Sequence, residues 1–179
     1  FIPGSRERIL SHSPSGKVPC LNDHGVVVWD SLAIGEYLAE KRPGLLPADP
    51  VARALARSVT AEMHSGFQNL RSRMPMNVRK DYTGFGHSPE VDADIARIVA
   101  IWNDCRARFG AVGPYLFGRF SLADAAFAPV AFRFQTYAVK PAGAAGEYLA
   151  TLLANPHMQE WATAARAETE SIPEEDLYG

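Results

Sequence analysis

The sequence predicts an α+β N-terminal piece followed by an all-α helical bundle. Three observations carry that reading. Short β-like segments and turn-forming residues are confined to residues 1–44. From residue 49 onward, apolar residues recur at spacings of three and four, as on helices that bury one face. Between these textures residues 45–48 read as a linker, so the domains are expected at 1–44 and 49–179.

The first piece opens with a short polar helix, Ser5 to Ser11, and a turn, Ser13-Pro14-Ser15-Gly16. Two β-like segments follow, Val18 to Leu21 and Val26 to Trp29. Asn22-Asp23-His24-Gly25 joins them as a hairpin turn. Leu32 to Lys41 reads as a helix, ended by Pro43-Gly44.

In the second piece Asp49-Pro50 is a capping residue with proline at the first helical position. Val51, Leu55, Val59, Met63, Phe67, Leu70 and Met74 share one face, so a single long helix is expected up to Pro75. Ser88-Pro89 starts a second one, with Val91, Ile95, Ile98, Trp102, Cys105 and Phe109 on its stripe and Gly110 as its stop. Ser121-Leu122-Ala123-Asp124 is a capping box with Asp in place of Glu. The helix behind it, Ala125 to Tyr137, is apolar nearly all round. It is therefore expected to be the buried central one, bent at Pro129. Shorter helices are expected near 143–153 and 156–168, then a loosely held acidic tail from Ile172 to Gly179.

Composition narrows the function. A net charge of -2 gives no electrostatic reason to expect a nucleic acid or an anionic membrane surface as partner. No apolar run approaches the ~20 residues that span a bilayer. Two cysteines, Cys20 and Cys105, fit a reducing compartment better than a disulfide framework. The histidines and cysteines show no metal-ligand spacing, so no metal is expected.

Two local features can carry chemistry. Val18-Pro19 reads either as a proline-led edge strand or as a cis bond that turns the Val18 backbone outward, where a peptide ligand could pair with it. Asp30-Ser31 reads either as a plain helix cap or as an anion site, where unpaired first-turn N–H groups and the helix dipole meet a hydroxyl. Together they suit a small acidic peptide. Lys17 would hold a second carboxylate, unless it is a solvated surface lysine. Arg133, between Phe132 and Phe134, needs a partner if buried, and Asp124 is one option. Cys20, just past the proline, can point either way as a nucleophile or a packed side chain.

Gly16-Lys17-Val18-Pro19, Val26-Val27-Val28-Trp29 and Asp30-Ser31-Leu32-Ala33-Ile34 resemble the cytosolic glutathione S-transferases. The Ser121 capping box resembles the one that starts the central helix of that family's all-α domain. The runs 62–67 and 74–77 resemble a bacterial subgroup. The resemblance implies that residues 1–44 are the later half of a thioredoxin-like domain. It implies that Val18 pairs with the cysteinyl part of glutathione, that Pro19 is cis, that Ser31 binds the γ-glutamyl carboxylate with help from Asp30, and that Lys17 lies near the glycyl end.

The same resemblance implies a preceding βαβ unit on the order of 40 residues, carrying the Tyr, Ser or Cys that activates the thiol; no catalytic residue of this chain is named. It implies a pocket for a small apolar electrophile, for which Met63, His64, Phe67, Arg71 and Tyr137 are candidates. Each also has a plainer reading: core for Met63 and Phe67, a structural histidine for His64, helix cover for Arg71. The expected activity is conjugation or reduction of small electrophiles by the glutathione thiolate in a cytoplasmic homodimer. The alternative is a non-catalytic binding or assembly module on the same fold.

Overall fold

The computed structural model describes residues 4–170, 172 and 176–178. The chain divides into two units, Phe1–Leu46 and Pro47–Gly179.

The first unit holds α1 (Ser5–Leu10), β1 (Leu21–Asp23), β2 (Val26–Val28) and α2 (Ser31–Lys41). β1 and β2 pair antiparallel, with Leu21 opposite Val28, Asn22 opposite Val27 and Asp23 opposite Val26. This corrects the expected strand bounds. The turn is the two residues His24 and Gly25, with φ of 50° and 90°. Two successive left-handed residues make the turn whose twist matches paired strands, and Gly meets that need without a Cβ penalty. That turn fixes a register in which Asn22 and Asp23 are strand residues and the first strand begins three residues later than the valine run suggested. The Lys41 ammonium, 2.9 Å away, and the Tyr37 hydroxyl, also at 2.9 Å, both converge on the Asp23 carboxylate, tying α2 to the hairpin.

The second unit holds α3 (Pro50–Ser65), α4 (Gln68–Arg73), α5 (Pro89–Phe109), a 3-10 turn (Gly110–Val112), α6 (Leu122–Thr136), α7 (Gly143–Leu153) and α8 (Pro156–Ala167). Three starts follow the capping chemistry of the sequence. Asp49 accepts the Ala52 N–H at 2.8 Å, Ser88 that of Val91 at 3.3 Å, and Asn155 that of His157 at 2.9 Å.

α6 is the central helix. Phe127, Val130, Ala131 and Phe134 are fully buried, and the helix runs through Pro129 without a break. Trp102 of α5 meets Phe127, Phe134 and Tyr148 with ring centroids at 5.7, 5.3 and 4.9 Å. Each large side chain buried in this way contributes about 1.5–3 kcal/mol of apolar transfer. Asp124 is buried too, and its carboxylate accepts the N–H and hydroxyl of Ser121 and the N–H of Leu116, at 2.8, 2.9 and 3.1 Å. The box anticipated from sequence thus anchors both the start of α6 and the preceding loop.

One long helix was expected from Pro50 to Met74; the structure breaks it at Gly66 and Phe67. Gly66 is extended and Phe67 is left-handed, with φ of 59°. The chain leaves the helix where a Cβ on Gly66 would lie 2.7 Å from the Glu62 carbonyl oxygen. The broken ends are then satisfied from elsewhere. The Arg71 guanidinium donates to the Met63 carbonyl and, at 3.0 Å, to that of His64, capping α3. The Asp94 carboxylate of α5 accepts the Leu70 N–H of α4.

Of the expected acidic tail, residues 173–175 and 179 lie outside the described residues, as does residue 171. Asp176 accepts the Asn77 amide at 2.6 Å, and the Tyr178 hydroxyl donates to the Arg73 carbonyl at 2.7 Å. No described helix is long and apolar enough to cross a membrane.

Candidate functional site

In the first unit the turn 13–16 is set from within. Ser13 is buried, its hydroxyl lies 3.0 Å from that of Ser15, and its carbonyl accepts the Gly16 N–H at 2.9 Å. The Ser15 hydroxyl in turn accepts the Lys17 N–H at 3.2 Å. The chain then reaches Val18, which is 71% exposed, and the Val18–Pro19 bond is cis. Neither residue belongs to the hairpin ladder, which starts at Leu21. The Cys20 thiol donates to the His12 carbonyl at 3.5 Å and so ties this stretch to the end of α1. Arg8, Ile9, His12, Val18 and Cys20 border an open groove of about 450 Å³.

At the far side of the hairpin Asp30 caps α2. Its Oδ1 accepts the Leu32 N–H at 3.0 Å, and its carbonyl accepts that of Ile34 at 2.9 Å. Ser31 follows as the first helical residue and is exposed. The register decides how these pieces relate. Because Leu21 faces Val28, Pro19 two residues before one strand and Asp30 two residues after the other lie at the same end of the hairpin. Lys17, Val18, Pro19, Asp30 and Ser31 are all exposed. An outward backbone, an amine and the positive end of a helix therefore lie on one unit, a combination able to hold an elongated ligand with separated carboxylates.

The electrophile-pocket candidates fall into two groups. Met63, His64, Phe67 and Arg71 gather at the α3–α4 break. Met63 and Phe67 are buried, while His64 and Arg71 are half-buried. Tyr137 belongs to another group: it is buried, donates to the Pro75 carbonyl at 3.1 Å, and packs against Tyr82 and Tyr178. Arg133 does not reach for Asp124, which bonds to Ser121 and Leu116. Its guanidinium donates to the Met74 carbonyl at 2.8 Å and the Pro129 carbonyl at 3.3 Å. Sequence reasoning missed Asp94 and Tyr82. Both act across the fold on residues far away in the chain, and neither sits in a local motif. Among the described residues no group of three or more His, Cys, Asp or Glu side chains could hold a metal ion.

Comparison with known proteins places the chain in a family. Residues 2–41 match the glutathione S-transferase N-terminal domain, and residues 86–164 match the glutathione S-transferase C-terminal domain. The chain belongs to the glutathione S-transferase family. Among curated relatives, it is 38% identical over 85 residues to a probable maleylacetoacetate isomerase of Caenorhabditis elegans, covering 46% of this chain and 40% of that protein. The chain therefore spans well under half the length of that relative. It is 27% identical over 157 residues to a stringent starvation protein A homolog of Pasteurella multocida, covering 83% of this chain and 66% of that one. Among solved structures, a glutathione transferase homolog from Burkholderia, crystallised with bound glutathione, is 25% identical with a TM-score of 0.61. That match covers 87% of this chain and 77% of the other.

Proposed function

We propose that the first unit binds glutathione and that the protein uses the bound thiolate on small apolar electrophiles, by conjugation or reduction, as a cytoplasmic homodimer. The observation that carries the reading is the shared hairpin end, with exposed Val18 on one side and the start of α2 at Asp30 and Ser31 on the other. In this reading the Val18 backbone pairs with the cysteinyl residue. Ser31 and the first N–H groups of α2 take the γ-glutamyl carboxylate, with Asp30 holding that turn in place. Lys17 faces the glycyl carboxylate. Glutathione bound in the Burkholderia homolog supports the ligand, and the isomerase relative supports an enzymatic role.

The chemistry needs a thiolate, since a free thiol titrates near ~8.5 and the neutral form is a poor nucleophile. In conjugation the thiolate attacks an electrophilic carbon, forming the S–C bond while the leaving group or the enolate carries the displaced electron pair. In reduction a second glutathione thiolate attacks the sulfur of that adduct, forming the S–S bond of oxidised glutathione as the S–C bond breaks and the carbon takes the electron pair and a proton. Met63, His64, Phe67, Arg71 and Tyr137 are proposed to border the electrophile's pocket. Thiol activation is left to a group outside the five glutathione-binding residues.

Calorimetric titration of glutathione into the folded protein tests this, alongside Ser31→Ala. Binding in the micromolar-to-millimolar range is expected. The variant should lose about 1.5–3 kcal/mol, the worth of a hydrogen bond to a charged group. Absence of heat in a folded sample overturns the reading. A second reading then leads, a non-catalytic binding or assembly module, which the Pasteurella relative favours because its name refers to starvation rather than to a reaction.

A further inference from the structure

β2 has a free edge: among the described residues it pairs with β1 alone, in a sheet of two strands. The backbone fixes what that edge offers. In a hairpin closed by a two-residue turn, the residues flanking the turn exchange both of their bonds, and bonding alternates from there. Asp23 and Val26 flank the turn and Leu21 faces Val28, so Val26 and Val28 bond inward to β1. The N–H and C=O of Val27 therefore point outward, and no other described backbone group takes them.

Native sheet edges are blunted by a charge, a proline or a bulge. β1 carries a charge at Asp23. β2 has none of these devices: Gly25-Val26-Val27-Val28-Trp29 is uncharged, with Val26 50%, Val27 36% and Trp29 44% exposed. Val26 and Val27 lie on opposite faces of the strand, so apolar surface is open on both. A hairpin of two strands is also marginal by itself, and three or more strands with an apolar face make the stable form.

We propose that the β2 edge docks β2 of a second copy of this chain, paired antiparallel about Val27 in one four-stranded sheet. Three observations select a second copy as the occupant. The edge is its own complement: a two-fold axis at Val27 lets each Val27 N–H donate to the other's carbonyl and sets Val26 opposite Val28. Continuing that register brings exposed Trp29 opposite Gly25, where a Cβ would meet nothing within 4 Å, so the ring covers open backbone. One step further it brings His24, whose side chain is 98% exposed, opposite exposed Asp30, and the two are complementary in charge when the imidazole is protonated. The pairing needs no glutathione and is read at one strand rather than from subunit number, so it and the function proposed above fail separately.

The test is disulfide cross-linking of the full chain in a Cys20→Ser background, read on non-reducing gels. Residues that exchange both bonds sit about 5.5 Å apart at Cα, within the span of about 4.4–6.8 Å that a disulfide bridges. Val27→Cys should therefore be captured as a covalent dimer under mild oxidation, at least tenfold faster than Val26→Cys, whose counterpart is Val28. Equal rates at the two positions overturn the proposal, as does the absence of a dimer from either. Sedimentation from micromolar to millimolar concentration reads the reversible pairing. Wild type should move toward twice its dilute mass, while Val27→Lys and Val27→Pro, with native circular dichroism, should not. The proline removes only an outward N–H, a change that an edge strand tolerates. Concentration dependence identical in wild type and Val27→Lys overturns the proposal even where the proline variant does not fold.

Discussion

The Asp94 carboxylate accepts the backbone N–H of Leu70 at 2.9 Å, so a side chain of α5 supplies the cap that α4 lacks from its own residues. Phe67, at the position before α4, is left-handed and has no side-chain oxygen to offer. A carboxylate near a helix start is favoured both by the unpaired N–H groups and by the dipole. Asp94→Ala should therefore lower stability by about 1–2 kcal/mol, the range for losing a cap. Asp94→Asn should lose less, because the amide oxygen can still accept. Urea midpoints at constant slope measure both. A neutral Asp94→Ala would mean that Arg71 alone holds the break.

Asp124 gives a larger effect with a pH signature. Removing its carboxylate strands the Leu116 and Ser121 N–H groups in the core, and Asp124→Ala should cost about 2–4 kcal/mol. Burial pushes this carboxyl above its ordinary value of 3.8, while its hydrogen bonds pull it down. A carboxyl with a folded pKa above the unfolded one is favoured protonated in the fold. Its contribution is then largest below pH 3.8 and is lost as pH rises through the raised value. Asp124→Asn should remove this fall, so the stability gap between wild type and Asp124→Asn should shift toward the variant as pH rises above 3.8. A gap that stays constant over that range would contradict the sign.

How far the sequence discloses this molecule depends on the range over which each feature is determined. Helix starts at Asp49, Ser88, Asn155 and Ser121 were legible because a cap is made by residues two to three apart. The break at Gly66 was not, because Met63, Phe67, Leu70 and Met74 keep helical spacing and all become buried on either side of it. The partners that stabilise it, Asp94 above all, arrive from another helix. The hairpin was legible as a hairpin, but its register follows from backbone angles at His24 and Gly25 rather than from the valine run. The glutathione-site candidates are local motifs and stood out at once. The partners of Tyr137 were not legible, since Pro75, Tyr82 and Tyr178 meet it from 41 or more positions away.

Asp30 separates two roles at the start of α2. Its Oδ1 caps the helix by accepting the Leu32 N–H, yet its charge lies where a ligand carboxylate is proposed to bind. Asp30→Ala removes cap and charge together. The frayed first turn should weaken glutathione binding, with about 1 kcal/mol lost from the helix start. Asp30→Asn keeps a good cap and removes only the charge, so affinity should hold or rise as like-charge repulsion is relieved. Parallel titrations of the two variants decide between the roles. Equal weakening by both would show that the carboxylate itself assists the ligand.

The two free thiols should differ sharply in reactivity. Cys105 is 1% exposed in the core, and burial pushes its thiol from an ordinary 9.0 up to about 12. At pH 8 its thiolate fraction is then on the order of one in ten thousand, and only the thiolate reacts. Cys20 is half-buried at the groove beside His12. An aromatic disulfide reagent at pH 8 should release one equivalent promptly from the folded protein and the second only in urea; Cys20→Ser should abolish the first. Stability carries the same mark. A thiol whose folded pKa is raised is favoured neutral in the fold, so its contribution is intact below pH 9 and is lost as pH climbs toward 12. Cys105→Ala should therefore flatten the alkaline limb of the stability curve while lowering its plateau through the cavity it leaves. Two prompt equivalents in the native protein would place Cys105 outside the core.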